Sequence, residues 1–218
     1  MFSLTEENYL KAIYHLEHDS KGGVSTNAIA EKMNTKPSSV TDMVQKLAEK
    51  KAVSYERYKG TVLTKSGKKT ATKIIRKHRL WEVFLVEKLD FQWDEVHEMA
   101  EQLEHIQSDK LISRLDQFLE HPDFDPHGDP IPDSNGNIKP SNHKLLSILK
   151  KNQKGICVGV KRSNKEFLQY LDRQNISLGE MIMVIDKDEF DSSMKIQIGK
   201  QQLFISKKVA ENLFINCI

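Results

Sequence analysis

KPSSVTDMVQKL, residues Lys36 to Leu47, sets Val40, Met43, Val44 and Leu47 at helical intervals behind a proline. Pro37 suits the first turn of a helix, where a missing N–H costs nothing, and the apolar spacing makes one packed face. Ser38, Ser39, Thr41, Asp42, Gln45 and Lys46 are left pointing outward. Working upstream, Ser25 to Met33 reads as a shorter helix with Ala28, Ile29 and Met33 apolar, parted from the first by Asn34 and Thr35. Before it, Leu4 to Glu17 places Leu4, Leu10, Ile13, Tyr14 and Leu16 at mostly helical spacing until Gly22 and Gly23 break the pattern. Two short helices across a tight turn, the second opening on small hydroxyl residues, form a helix-turn-helix signature. Small side chains let that end approach a major groove, where hydroxyls and backbone N–H groups meet phosphates or base edges. Any three-helix packing unit shares the pattern, so the residues downstream decide its weight.

Val53 to Thr64, VSYERYKGTVLT, alternates and turns at Lys59-Gly60 as a small hairpin does. A hairpin after the second helix of the signature makes it a winged helix. The candidate DNA contacts are Ser25, Thr26, Lys36, Pro37, Ser38, Ser39, Thr41, Asp42, Gln45 and Lys46, with Arg57 and Lys59 at the wing tip. Tyr55 and Tyr58 are placed to pack or to contact sugars. Lys65 to Leu89 then reads as one long helix, capped near Ser66, basic at first and apolar later through Leu80, Trp81, Val83, Phe84, Leu85 and Val86. So dense an apolar end needs a partner surface, either a dimer interface or burial within the monomer.

The formal net charge of +2 hides a segregation. Lys21 to Arg79 holds 15 Lys and Arg against 4 Asp and Glu, and Leu80 to Pro140 holds 4 against 15. The basic block suits nucleic-acid phosphates and the acidic block suits cations. No apolar run approaches a membrane span and no cationic-then-apolar leader opens the chain, so the expectation is a cytoplasmic protein with no membrane partner. Cys157 and Cys217 lie far apart without a CxxC spacing, as free thiols in a reducing compartment do.

Within the acidic block, DEVHEMAEQLEHIQS, Asp94 to Ser108, reads as an amphipathic helix. At about 100° per residue, His97, Glu101, Glu104, His105 and Ser108 share one arc beside the packing arc of Val96, Met99, Ala100, Leu103 and Ile106. Carboxylate oxygen and imidazole nitrogen at these intervals can converge on one ion, and the lack of cysteine leans toward Mn²⁺ or Fe²⁺ over thiolate zinc. A solvated helix face has the same composition. One turn apart on the long helix, His78 and Glu82 offer a second imidazole–carboxylate pair, or a surface ion pair. The chain lacks HExxH and HxxEH, so a metallohydrolase is disfavoured, and it lacks the paired Glu-x-x-His motifs of a di-iron oxidase.

The Pro-, Gly- and Asp-rich stretch at 121–137 reads as a loop. Beyond Pro140, strands are expected at 155–162, 181–186, 194–198 and 202–205 with a short helix at 164–172, which together suggest a small β-barrel. The fold class is therefore mainly α with a C-terminal β unit, divided at 1–64, 65–140 and 141–218.

ENYLKAIYHLE at 7–17, KPSSVTDMVQKL at 36–47, YERYKGTVLTKSGKK at 55–69, RKHRLWEVFL at 76–85, AEQLEHIQSD at 100–109 and PHGDPIP at 126–132 together resemble the metal-dependent repressors of the diphtheria toxin repressor and MntR type. The resemblance implies a winged helix-turn-helix domain at 1–64, a helical metal-binding and dimerisation domain at 65–140, and an SH3-like, FeoA-like domain at 141–218. It implies a homodimer that binds a palindromic double-stranded operator when loaded with Mn²⁺ or Fe²⁺, with no organic cofactor. Repression of metal-uptake genes follows from the same likeness. Carried over by position, the primary metal ligands are Asn8, Glu101, Glu104 and His105, and a Glu at 101 goes with manganese. Asn8 departs from the usual Asp or Met, and Lys11 stands where manganese regulators can have a second carboxylate. The ancillary ligands are His78, Glu82 and His97, or Glu82 with Asp125 and His127, with Glu166 as the position from the C-terminal domain. A winged-helix regulator that senses an organic ligand is the alternative.

Overall fold

The computed structural model describes residues 2–19, 22–56, 59–140 and 142–218, without the side chains of residues 18 and 19. The chain forms two compact units, one of residues 1–81, 100–114 and 131–138 and the other of 82–99, 115–130 and 139–218.

The first unit opens with α1 (Leu4–Asp19), α2 (Thr26–Lys32) and α3 (Pro37–Glu49). Ser3 and Glu6 start α1 as a capping box: Glu6 accepts the Ser3 N–H (2.8 Å) and Ser3 Oγ accepts the Glu6 N–H (3.3 Å). Ser25 caps α2 by accepting the Ala28 N–H, and Pro37 begins α3. Leu10 and Ile13 of α1 pack with Ile29, Val40, Val44 and Leu47, so α1 forms one wall of the helix-turn-helix core. The wing is β1 (Val53–Glu56) paired antiparallel with β2 (Gly60–Leu63). α4 (Lys65–Leu89) follows at once; its cap is Thr64, whose Oγ1 accepts the Gly67 N–H (3.1 Å), in place of the expected Ser66. At Gly67 a Cβ would collide with the Ala52 carbonyl oxygen, so glycine lets the helix start tight against the turn between α3 and β1.

α5 (Val96–Leu103) is shorter than the helix expected over 94–108. The Ile106 N–H turns to Leu103 O (3.1 Å), the chain leaves the helix, and Ser108 caps α6 (Asp109–Phe118) by accepting the Leu111 N–H (3.2 Å). The 121–137 stretch is a loop with one isolated bridge, Phe124 to Pro130.

The second unit is built on an antiparallel sheet of β3 (Lys144–Leu145), β4 (Lys154–Val160), β5 (Met181–Lys187), β6 (Met194–Ile198), β7 (Gln201–Ile205) and β8 (Leu213–Cys217), in the order β3-β8-β4-β5-β6-β7. Alternate residues of these strands join Leu168 and Leu171 of α7 (Lys165–Arg173) and Val209 and Ala210 of α8 (Lys207–Ala210) in its core. Trp93 packs on that core, and its Nε1 donates to the Asp172 carboxylate (3.1 Å). Cys157 is buried and Cys217 exposed, both free. Among the described residues no helix is long and apolar enough to cross a membrane.

Candidate metal centre

Because α5 ends at Leu103, Glu104 and His105 sit in the turn that follows it, and the expected single stripe is divided. Glu104 and His105 face α1, whereas His97 lies half exposed on α5 with Nδ1 3.4 Å from Glu82. Glu104 is 1% exposed. Its Oε2 accepts from Lys11 Nζ (2.6 Å) and from His78 Nδ1 (2.6 Å). Its Oε1 is buried with no hydrogen-bond partner, and His105 Nε2 stands 3.9 Å from it. Burial alone would raise the Glu104 carboxyl, but the hydrogen bonds and charge of His78 and Lys11 outweigh it and hold the group below the ordinary carboxylate range. Glu104 is therefore an anion at neutral pH with one oxygen unserved.

His105 is aimed by Glu7. Glu7 Oε2 accepts from His105 Nδ1 (2.7 Å) and its Oε1 accepts from Gln107 Nε2 (2.9 Å). With Nδ1 donating, Nε2 points to the Glu104 side, the arrangement in which a carboxylate behind an imidazole orients the ring of a metal ligand. Glu101, at the end of α5, is exposed and lies 3.7 Å from Lys11 Nζ. The α1 side chains at this cluster are Glu7 and Lys11, one turn apart. Asn8, expected from the resemblance, is exposed and stands one position round the helix from Glu7. The signal for Glu7 was present in α1, where Glu7, Leu10 and Lys11 share one face by spacing.

A second donor set lies wholly within the second unit. Glu82, Asp125 and His127 are all buried, with one donor atom of each within 4.8 Å of the others. Asp125 Oδ1 accepts the N–H groups of His127 (2.8 Å) and Asp129 (3.0 Å), so the loop is folded around the carboxylate. His127 Nε2 donates to Trp93 O (2.8 Å), leaving Nδ1 facing Glu82 Oε2 at 3.7 Å. Burial would lower the imidazole pKa, but Glu82 and then Asp125 outweigh it and push it up to about 9, so a proton holds the cation position there at neutral pH. His78 turns its Nδ1 to Glu104. Glu166, expected as a ligand from the C-terminal domain, is exposed and accepts from Asn164 Nδ2 (2.8 Å).

Three family models match in succession: the iron-dependent repressor N-terminal DNA-binding domain over residues 1–61, the iron-dependent repressor metal-binding and dimerisation domain over 64–133, and the FeoA domain over 144–217. Over 115 residues, 53% of the chain and 77% of the relative, it is 38% identical to the HTH-type transcriptional regulator MntR of Oceanobacillus iheyensis. The chain belongs to the iron-dependent repressor family. It is thus of a family of DNA-binding transcriptional regulators that are not enzymes. A solved structure of a manganese-dependent transcriptional repressor in complex with manganese matches the family member with a TM-score of 0.87 at 31% identity, over 98% of this chain and 100% of that one. A stretch of 70 residues, 32% of the chain, is 51% identical to a probable metal transport system membrane protein of Chlamydia trachomatis, of which it spans 16%.

In this repressor-family winged helix, Lys36, Pro37, Ser38, Ser39, Asp42, Gln45 and Lys46 are exposed. Thr41 is half-buried and its hydroxyl donates to Pro37 O (3.1 Å). Ser25 Oγ is engaged as the α2 cap, and Thr26 beside it is half-buried. Arg57 and Tyr58 lie outside the described residues. Lys59 is exposed and pairs with Glu56 (2.6 Å), while Tyr55 packs on the helix-turn-helix core.

Proposed function

We propose that this family member represses metal-uptake genes as a homodimer on a palindromic operator, and that Mn²⁺, with Fe²⁺ as the second candidate, activates it through Glu101, Glu104 and His105. The observation that carries the reading is Glu104 Oε1, a buried carboxylate oxygen without a hydrogen-bond partner, facing the imidazole nitrogen of His105 that the Glu7 bond to Nδ1 turns towards it. A buried anion left unserved is costly, and oxygen with nitrogen donors and no thiolate suits a borderline-hard divalent ion. A second ion is assigned to Glu82, Asp125 and His127; His97, paired with Glu82, and His78, one turn before it on α4, form the alternative set.

A bound ion supplies the positive charge that Glu104 Oε1 lacks. The chain's own residues carry the rest. Glu7 joins α1 to the turn after α5 through His105, and the adjoining Leu10 and Ile13 of the same helix are packed into the core that seats α3. The position of the metal cluster and the position of the recognition helix are thus read by one helix. In a dimer, two such helices reach successive major grooves about 34 Å apart only when their spacing is fixed.

Fluorescence anisotropy of the DNA upstream of the protein's own gene tests this, with metal-stripped protein, then with Mn²⁺ and with anaerobic Fe²⁺ at constant salt, since phosphate contacts alone change affinity greatly. Binding is expected only with metal, and Glu104→Gln should abolish the response. Equal binding with and without metal would contradict the reading and favour a different signal.

A further inference from the structure

We propose that Lys11 is a tethered cation that competes with the divalent ion for the Glu101 and Glu104 carboxylates and so sets the metal concentration at which the protein responds. The inference rests on the assignment of those residues as metal ligands and concerns what opposes the ion there. The Lys11 side chain is only 13% exposed, and its Nζ lies 2.6 Å from Glu104 Oε2, 3.7 Å from Glu101 Oε1 and 3.3 Å from His78 Nδ1. A buried ammonium persists only where it is paired, and here its partners are the carboxylates assigned to the metal.

The ammonium is a point charge that donates hydrogen bonds and accepts none, so it offsets charge in the cluster without being able to ligate an ion. It serves Glu104 Oε2 and leaves Oε1 open. In the metal-free protein Lys11 stabilises a cluster in which Glu7, Glu101 and Glu104 otherwise repel one another. In the loaded protein the same charge stands within a few ångströms of a dication, in a partly buried place where the repulsion is weakly screened. Lys11 therefore favours the metal-free state twice, by pairing in it and by repulsion in the other. An ion binds only at concentrations high enough to overcome both.

The test is a Mn²⁺ titration by calorimetry on the full chain carrying His127→Ala, so that the second donor set does not contribute, with and without Lys11→Met. Removing the charge should tighten Mn²⁺ binding at least tenfold and lower the melting temperature measured in chelator. Lys11→Gln, which keeps a donor for Glu104 but no charge, should show the same tightening, and it serves if the methionine variant does not fold. Affinity unchanged or weakened in a folded Lys11 variant would overturn the inference while leaving the metal site intact. A Glu104→Gln control that binds Mn²⁺ as well as its parent would instead overturn the metal-site assignment, and this inference with it.

Discussion

Glu7 does for His105 what no direct ligand can do, which is to decide which imidazole nitrogen is available. Its hydrogen bond from Nδ1 leaves Nε2 towards Glu104, and its other oxygen is anchored by Gln107. Carboxylates behind metal-ligating imidazoles are worth about 10- to 100-fold in metal affinity. Glu7→Gln should therefore weaken Mn²⁺ binding by about that factor while leaving the α-helical circular dichroism unchanged. Unaltered Mn²⁺ affinity in that variant would show that His105 needs no such support. The equivalent device at His127 is backbone: Trp93 O accepts from Nε2, and no side-chain substitution removes it. Residue identity and helical spacing were enough to single out Glu101, Glu104 and His105 as the residues proposed to hold the ion. They were not enough to choose between neighbouring α1 residues, since Glu7 and Asn8 differ by only about 100° round a helix.

Among the elements, the winged helix was legible because each part is punctuated locally, by Ser25 and Pro37 at helix starts and by Gly60 in the wing. The end of α5 was not. Gln102-Leu-Glu-His-Ile contains no glycine or proline, and Leu103 and Ile106 continue the apolar period, so the sequence runs on as helix. The structure stops it where Glu104 and His105 are held by side chains from α4 and α1, a tertiary cause that periodicity cannot express. β8 was missed for a related reason: Leu213 to Cys217 is a short apolar run near the chain end, and its place between β3 and β4 is set by long-range pairing. The composition of 121–137 reads as a polar loop, yet Asp125, His127 and Gly128 within it are buried. Gly128 has φ +85° and a Cβ there would collide with Val158 O and Gly159 Cα of β4. Gly128→Ala should destabilise the protein by about 2 kcal/mol or more and loosen the Glu82, Asp125 and His127 set. Urea unfolding checks the first effect; a midpoint equal to wild type would mean that the loop does not depend on this close approach.

At the scale of the whole molecule, the charge division along the sequence runs with the two proposed roles, nucleic-acid and cation binding, and the proposed metal cluster joins His78 at the end of the first block to Glu104 and His105 of the second through Glu7 and Lys11 of α1, which precedes both. That placement makes metal and DNA two ligands of one conformational equilibrium. Linkage then requires that each strengthen the other by the same factor, with coupling of about 1 to 3 kcal/mol as a general scale. The most direct measurement is a Mn²⁺ titration of the full chain alone and with saturating operator duplex, beside an operator titration with and without Mn²⁺. The account predicts that operator DNA tightens Mn²⁺ binding by the factor by which Mn²⁺ tightens operator binding, and that Glu104→Gln removes both effects together. Mn²⁺ affinity that is indifferent to the presence of operator would contradict it.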